Sequence, residues 1–172
     1  VNGGARKVAL NGDYAYIADY TSGLAIIDIS DPANLGAPVY MATTGEALGI
    51  AVRGNYAYVA DGSSGLHIVD VSNPSKPTLV GTFDTDGNAS DVTLSSDGNK
   101  AYVSDGSSGL HIVDVTNSAS PSSWGVLDTG GEVLGSVLSN NGIKAYVANG
   151  QSGFAIANVS DATNLYVYGS LD

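Results

Sequence analysis

Oxygen-bearing side chains at alternate positions are the first feature of this sequence that could do chemistry. The stretch Asp84-Thr85-Asp86-Gly87-Asn88-Ala89-Ser90-Asp91 offers Asp84, Asp86, Asn88 and Asp91 as ligands for Ca²⁺, a hard cation that gathers several oxygens. Its turn glycine stands at the fourth position rather than the sixth, and no acidic residue stands at the twelfth, so it departs from the helix-flanked calcium loop. The corresponding loops, Thr43-Thr44-Gly45-Glu46 and Thr129-Gly130-Gly131-Glu132, lack that ligand set.

Other polar residues recur at fixed places. Asp19, Asp61 and Asp105 each precede a polar turn. They could form a ring of Ca²⁺ ligands or, in the favoured reading, Asx turns whose carboxylates accept backbone N–H groups. Asp28, Asp70 and Asp114 lead into Ser-Asp-Pro, Ser-Asn-Pro and Thr-Asn and are read in the same way. His67 and His111 hold equivalent positions, with Ala25 and Ala155 in the other copies. With no Glu or Cys beside them at ligand spacing, they read as packed residues rather than acid–base groups or ligands.

Catalytic signatures are missing. The chain has no Gly-x-Ser-x-Gly elbow, phosphate loop or dinucleotide fingerprint. Its two glutamates, Glu46 and Glu132, occupy equivalent loops. We expect no enzyme, no catalytic residues and no cofactor other than Ca²⁺. Contact chemistry is a better prospect. Tyr16, Tyr58, Tyr102 and Tyr146 share one strand position and read as core, whereas Tyr40, Tyr166 and Tyr168 fall on outer strands and are candidates for a contact surface. Asn88-Ala89-Ser90 and Asn158-Val159-Ser160 match the N-glycan acceptor pattern, which is common by chance.

The elements that position these residues form four copies of one unit. Ala15-Tyr16-Ile17-Ala18-Asp19 recurs from Ala57, Ala101 and Ala145, at offsets of 42, 44 and 44 residues. Each copy is followed by a polar turn and then by a second apolar run, from Leu24, Leu66, Leu110 and Phe154. A repeat of this size is one supersecondary unit. Every unit reads as four short strands: first at 6–10, 49–52, 91–94 and 135–138, then the Ala-Tyr motif, then the Leu/Phe-led run. The fourth strands fall at 38–42, 78–83, 123–127 and 165–171. Val, Ile, Tyr and Thr dominate them, and no stretch has helical apolar spacing. Ala-Tyr-Val-Ala and Leu-His-Ile-Val are near-continuous apolar runs, as befits sheets covered on both faces. The fold class is all-β: a β-propeller of four four-stranded antiparallel blades, forming a single ring or part of a larger assembly.

The segment Gly65-Leu66-His67-Ile68-Val69-Asp70-Val71-Ser72-Asn73-Pro74, after Ala57-Tyr58-Val59-Ala60-Asp61, resembles the LVIVD repeat of secreted bacterial and archaeal β-propellers. Unit four departs from the pattern, with Asn149 and Asn158 in place of the two aspartates and Phe154 in place of leucine. The resemblance implies a propeller on an extracellular or surface-attached protein, and it implies no reaction. One domain, 1–172, then divides into repeats 3–44, 45–86, 87–130 and 131–172. Gly169-Ser170-Leu171-Asp172 aligns with the start of Gly81-Thr82-Phe83-Asp84-Thr85-Asp86-Gly87, and Val1-Asn2-Gly3 aligns with its remainder, so head follows tail in register. Four blades could close as one small ring, which is the favoured expectation. Two chains could complete a larger ring, or copies could add head to tail as a filament. The last strand carries no charge or proline to guard its edge, so a covered surface is expected beside it.

Composition narrows the partners. The 172 residues carry 6 Lys plus Arg against 17 Asp plus Glu, a formal net charge of −11. Such a chain has no basic stripe for nucleic acid and no attraction to anionic membranes. No apolar stretch reaches the ~20 residues of a spanning helix, and no signal peptide is seen. Starting at Val1 rather than Met, the chain is expected to be processed or excerpted. With no cysteine, it has no disulfides or thiolate sites. The expected protein is a non-enzymatic extracellular interaction module whose partners are copies of itself or other surface proteins. A Ca²⁺- or carbohydrate-binding module is the alternative, and an enzyme domain ranks last.

Overall fold

The computed structural model describes residues 3–172; Val1 and Asn2, and with them part of the head-to-tail alignment, lie outside the described residues. Sixteen strands form four antiparallel four-stranded sheets, each in simple up-and-down order. The first sheet holds β1 (Lys7–Asn11), β2 (Tyr14–Ala18), β3 (Leu24–Asp28) and β4 (Val39–Met41). The second holds β5 (Gly49–Arg53), β6 (Tyr56–Ala60), β7 (Leu66–Asp70) and β8 (Thr78–Phe83). The third comprises β9 (Asp91–Leu94), β10 (Lys100–Ser104), β11 (Leu110–Asp114) and β12 (Ser122–Leu127). The fourth comprises β13 (Gly135–Leu138), β14 (Lys144–Ala148), β15 (Phe154–Asn158) and β16 (Tyr166–Leu171). The one helical feature described is a single turn at Gly150–Ser152.

The near-continuous apolar runs make sense in this arrangement. Along β6 and β7, alternate residues point to opposite faces, and both faces are covered by neighbouring blades. Tyr16, Leu24 and Ile26 of the first blade pack against Ile50, Val59 and Val69 of the second. Tyr58, Leu66 and Ile68 repeat the contact against Val92, Val103 and Val113. Tyr102, Leu110 and Ile112 meet Val133, Ala145 and Val147. The inner strands pack in chain order, β1 on β5, β5 on β9 and β9 on β13.

Two local devices shape each blade. The glycine that closes the turn between its second and third strands has a positive φ, +72° at Gly65, and a Cβ there would lie 2.3 Å from the Phe83 carbonyl oxygen. Only glycine tolerates both the conformation and the approach. In blades two to four a register shift in the outer strand leaves one extra residue, Val80, Trp124 or Tyr168, between paired neighbours. Such a bulge re-aims a side chain. Val80 and Trp124 thereby pack toward the next blade.

Candidate functional site

The joint between successive blades is built the same way each time. Residues just past the second strand pair with the segment entering the next blade: Tyr20 with Ala47, Gly62 with Ala89 and Gly106 with Val133. Each pair exchanges both backbone hydrogen bonds, as Gly62 N–H to Ala89 O at 3.1 Å and Ala89 N–H to Gly62 O at 3.0 Å. Gly62 and Gly106 sit at φ +60° and +59°, and Tyr20 takes the same left-handed conformation at +51°. Its ring lies under the Arg6 guanidinium, 4.5 Å from the centroid.

Beneath each bridge a buried polar residue fastens the crossing loop. Asp61 accepts a hydrogen bond from the Thr43 hydroxyl at 2.6 Å and from the Gly45 N–H at 2.7 Å. The Thr85 hydroxyl donates to Asp105 at 2.7 Å and the Thr129 hydroxyl to Asn149 at 2.6 Å. Asp19 receives the N–H groups of Gly3 and Gly4. Asp61, Asp105 and Asn149 therefore pin the loop arriving from the preceding blade rather than an Asx turn in their own hairpin. The threonines went unnoticed in the sequence, although they stand 18 or 20 residues before their partners. Asp28, Asp70 and Asp114, by contrast, do form Asx turns, accepting from the N–H of Ser30, Ser72 and Thr116.

The histidines lie inside the blades beside these acids. His67 Nδ1 is 3.5 Å from Asp61 Oδ2, and His111 Nε2 is 3.5 Å from Asp105 Oδ2. Burial pushes the His67 pKa below the ordinary imidazole value, against the opposing pull of the Asp61 carboxylate. Burial raises the Asp105 carboxyl, while Thr85 and His111 partly counter the rise. Both imidazoles are packed away from solvent, at 3% and 6% exposure.

Among the candidate calcium ligands, Asp84, Asp86 and Asn88 are exposed on one interblade loop, where Asp84 accepts the Asp86 N–H at 3.1 Å. Asp91 begins an inner strand and pairs instead with Lys7 of the first blade. Among the described residues, no cluster of three or more His, Cys, Asp or Glu could hold a metal ion. Asp86 and Asn88 do share a depression with Glu132, from the following loop. Sequence spacing had not brought Glu132 into that group.

Among the described residues, nothing covers the two outward blade faces. Val8 and Leu10 of β1 are 58% and 66% exposed, although Ile50, the counterpart of Val8, is 1% exposed. At the other end, Phe154 and Leu171 are 42% and 73% exposed, although Leu66 and Leu110, the counterparts of Phe154, are fully buried. Closure of the four blades on themselves would cover these residues. Tyr166 and Tyr168 belong to this end: Tyr168 shares a recess with Phe154, Ile156 and Leu171, and the two tyrosine rings meet edge to face at 5.0 Å. Tyr40 pairs with Ala25, so it points away from the covered Leu24 and Ile26, toward the side of Val8. The three contact candidates thus divide between the two uncovered ends.

The family model described as the LVIVD repeat matches residues 2–40, 44–85, 86–129 and 142–172. No curated protein matches the sequence. Among solved structures, a functionally unknown protein from Desulfotomaculum acetoxidans DSM 771 aligns with TM-score 0.82 and 19% identity, over 99% of this chain and 58% of that one. The β-propeller domain of Cps50 (Swd1) from Myceliophteria thermophila aligns with TM-score 0.74 and 12% identity, over 98% and 59%. The computationally designed Ika8 protein gives TM-score 0.76 at 6% identity, over 97% and 48%. At such identities the likeness is one of fold, a β-propeller, and the chain spans half to three-fifths of each of these structures.

Proposed function

The chain belongs to the LVIVD-repeat family, and from that premise we propose that it is a non-enzymatic, extracellular interaction module that associates head to tail through its two uncovered blade faces. The observation that carries this reading is the match between those faces. Val8, Leu10 and Ile27 stand where Ile50, Val52 and Val69 stand in the second blade. Tyr146, Phe154 and Ile156 stand where Tyr58, Leu66 and Ile68 stand. Each end is therefore half of a contact that the molecule already makes three times, and exposed apolar patches of this kind mark interaction surfaces. The burial of both histidines supports a non-enzymatic role, because the only imidazoles are shut inside the blades. The resemblance to secreted propellers supports the extracellular setting.

Sedimentation velocity over a range of concentrations tests the reading. The chain is expected to run heavier than 17.3 kDa. Leu10→Asp or Phe154→Asp, each placing a carboxylate on a face that is exposed in the single chain, should return it to single-chain mass with its fold intact. A single-chain mass at every concentration would refute the proposal. A second reading, Ca²⁺ or carbohydrate binding, is favoured by one observation, the shared depression of Asp86, Asn88 and Glu132. Its signature would be a melting temperature that rises with millimolar calcium and is insensitive to Phe154→Asp.

A further inference from the structure

Away from both end faces, we infer that the cavity where the third blade meets the fourth is a docking slot for a tyrosine side chain flanked by arginine or lysine, presented by a segment of another protein. A repeat position that the chain fills for itself at one joint stands open at this one.

At the first joint the ring is the chain's own. Tyr20 bridges to Ala47 with its backbone at φ +51°. Its hydroxyl donates to the Glu46 carboxylate, and that bond holds the phenol above its ordinary pKa. The Arg6 guanidinium covers the ring, 4.5 Å from the centroid. Arg6 and Tyr20 come from the first blade and Glu46 from the segment entering the second.

At the third joint the same three positions hold Ser90, Gly106 and Glu132. The glutamate is kept, and both side chains that would serve it are gone. Gly106 repeats the left-handed turn of Tyr20, at φ +59°. Beyond its chain neighbours, a Cβ there would meet only the Asn88 carbonyl oxygen within 4 Å, at 3.9 Å. A cavity of about 390 Å³ opens at this place, lined by Ser90, Gly106 and Glu132 together with Asp86, Asn88 and Leu134. That volume falls within the ~300–1,000 Å³ of small-molecule sites. The second joint offers no such slot. Leu48, Gly62 and Asn88 hold its three positions, and a Cβ on Gly62 would lie 3.3 Å from Asn88 Oδ1 and 3.5 Å from Glu46 Cβ. Of the three bridged joints, the third alone joins a carboxylate to open space.

Electrostatics selects the flanking residues. Asp86 and Glu132 take part in no ion pair among the described residues. Asp105, beneath the same loop, is fully buried, and its Oδ2 has no hydrogen-bond partner; the nearest basic group is His111, at 3.5 Å. That oxygen is turned to the cavity wall, 2.4 Å from where a Cβ on Gly87 would stand. In the second blade the equivalent Asp61 Oδ2 takes the Gly45 N–H at 2.7 Å. Two unpaired carboxylates and a buried oxygen without a donor call for an incoming cation. Arg6 shows its place, over the face of the ring, where the ring's negative quadrupole adds to the attraction. A basic, tyrosine-bearing segment thus brings both groups that Ser90 and Gly106 omit.

The test is an NMR titration of the full 172-residue chain, in EDTA, with N-acetyl-Arg-Tyr-Arg-amide. Saturable shifts are expected at the amides of Gly87, Gly106 and Glu132. The Arg-Phe-Arg and Arg-Ala-Arg peptides should bind at least about tenfold more weakly, and Glu132→Gln should cost the tyrosine peptide about as much, as befits a lost hydrogen bond to a charged group. Gly106→Tyr, which fills the slot from within, should abolish binding; if that variant does not fold, Glu132→Gln, an exposed change, decides. Equal binding of the three peptides, indifference to Glu132→Gln, or the absence of shifts at those amides would overturn the proposal. Peptide binding that needs calcium would also overturn it and hand the depression to the calcium reading. Phe154→Asp, which probes the head-to-tail contact, should leave peptide binding unchanged, so the two readings fail separately; binding lost in that variant would move the site to the end faces and overturn the slot.

Discussion

At the scale of single residues, the buried clamp explains why Asn149 can stand where the other three blades have aspartate. Asp61 and Asp105 accept a threonine hydroxyl, and Asn149 does so too while its amide N–H₂ finds the Thr129 carbonyl at 3.0 Å. A neutral acceptor is therefore sufficient. Asp61→Ala should cost about 1–3 kcal/mol, because it strands the half-buried Thr43 hydroxyl and the Gly45 N–H, whereas Asp61→Asn should cost less than half of that. Urea unfolding midpoints decide the matter, and equal losses for the two variants would sink the clamp. Much of this was hidden in the sequence. The repeated aspartates were plain, but their partners are threonines a whole blade away, and nothing local links Thr43 to Asp61. The same blindness applied to Asp91, grouped by spacing with Asp84, Asp86 and Asn88, whereas the fold turns it to Lys7.

At the scale of strands and blades, the sequence was far more legible. Equal spacing of Ala-Tyr motifs placed all four sheets, and the expected strands match the observed ones to within about a residue at their ends. Boundaries moved because the ladder ends where partners end: β4 spans only Val39–Met41, opposite Ile26 to Leu24. The bulges at Val80, Trp124 and Tyr168 were not legible, because an extra residue leaves no mark on composition. Blades two and three are covered on both sides and blades one and four on one. In the single-chain state of Phe154→Asp, amide exchange should therefore be slowest in β6, β7, β10 and β11. In the assembled protein β2, β3, β14 and β15 should slow to match. Uniform protection in the single chain would contradict this account.

For the whole molecule, the acidic balance and the apolar ends pull in opposite directions. In the proposed association each copy carries −11, so two copies would repel at long range while their apolar end faces attract at contact. Salt screens the first effect within about 8–10 Å at physiological ionic strength and leaves buried contacts little changed. Association should therefore tighten several-fold between 20 and 200 mM NaCl, a trend opposite to that of a contact made by surface ion pairs. Isothermal dilution calorimetry would reveal it, and weakening with salt would place the binding energy in charges rather than in Val8, Leu10 and Phe154. The sequence made the head-to-tail register visible and favours one small closed ring, with a larger ring and a filament as the other arrangements it allows. Only the angle between packed blades, which no motif encodes, separates four from more.

The bridge that recurs as Tyr20–Ala47, Gly62–Ala89 and Gly106–Val133 has a consequence for how such proteins change over time. A joint that is alike at every step keeps no tally of steps. Doubling the coding sequence into one continuous chain, or beginning the repeat at a different loop, would ask for no new recognition. The arithmetic of blades per gene is then free to drift while the joint itself persists.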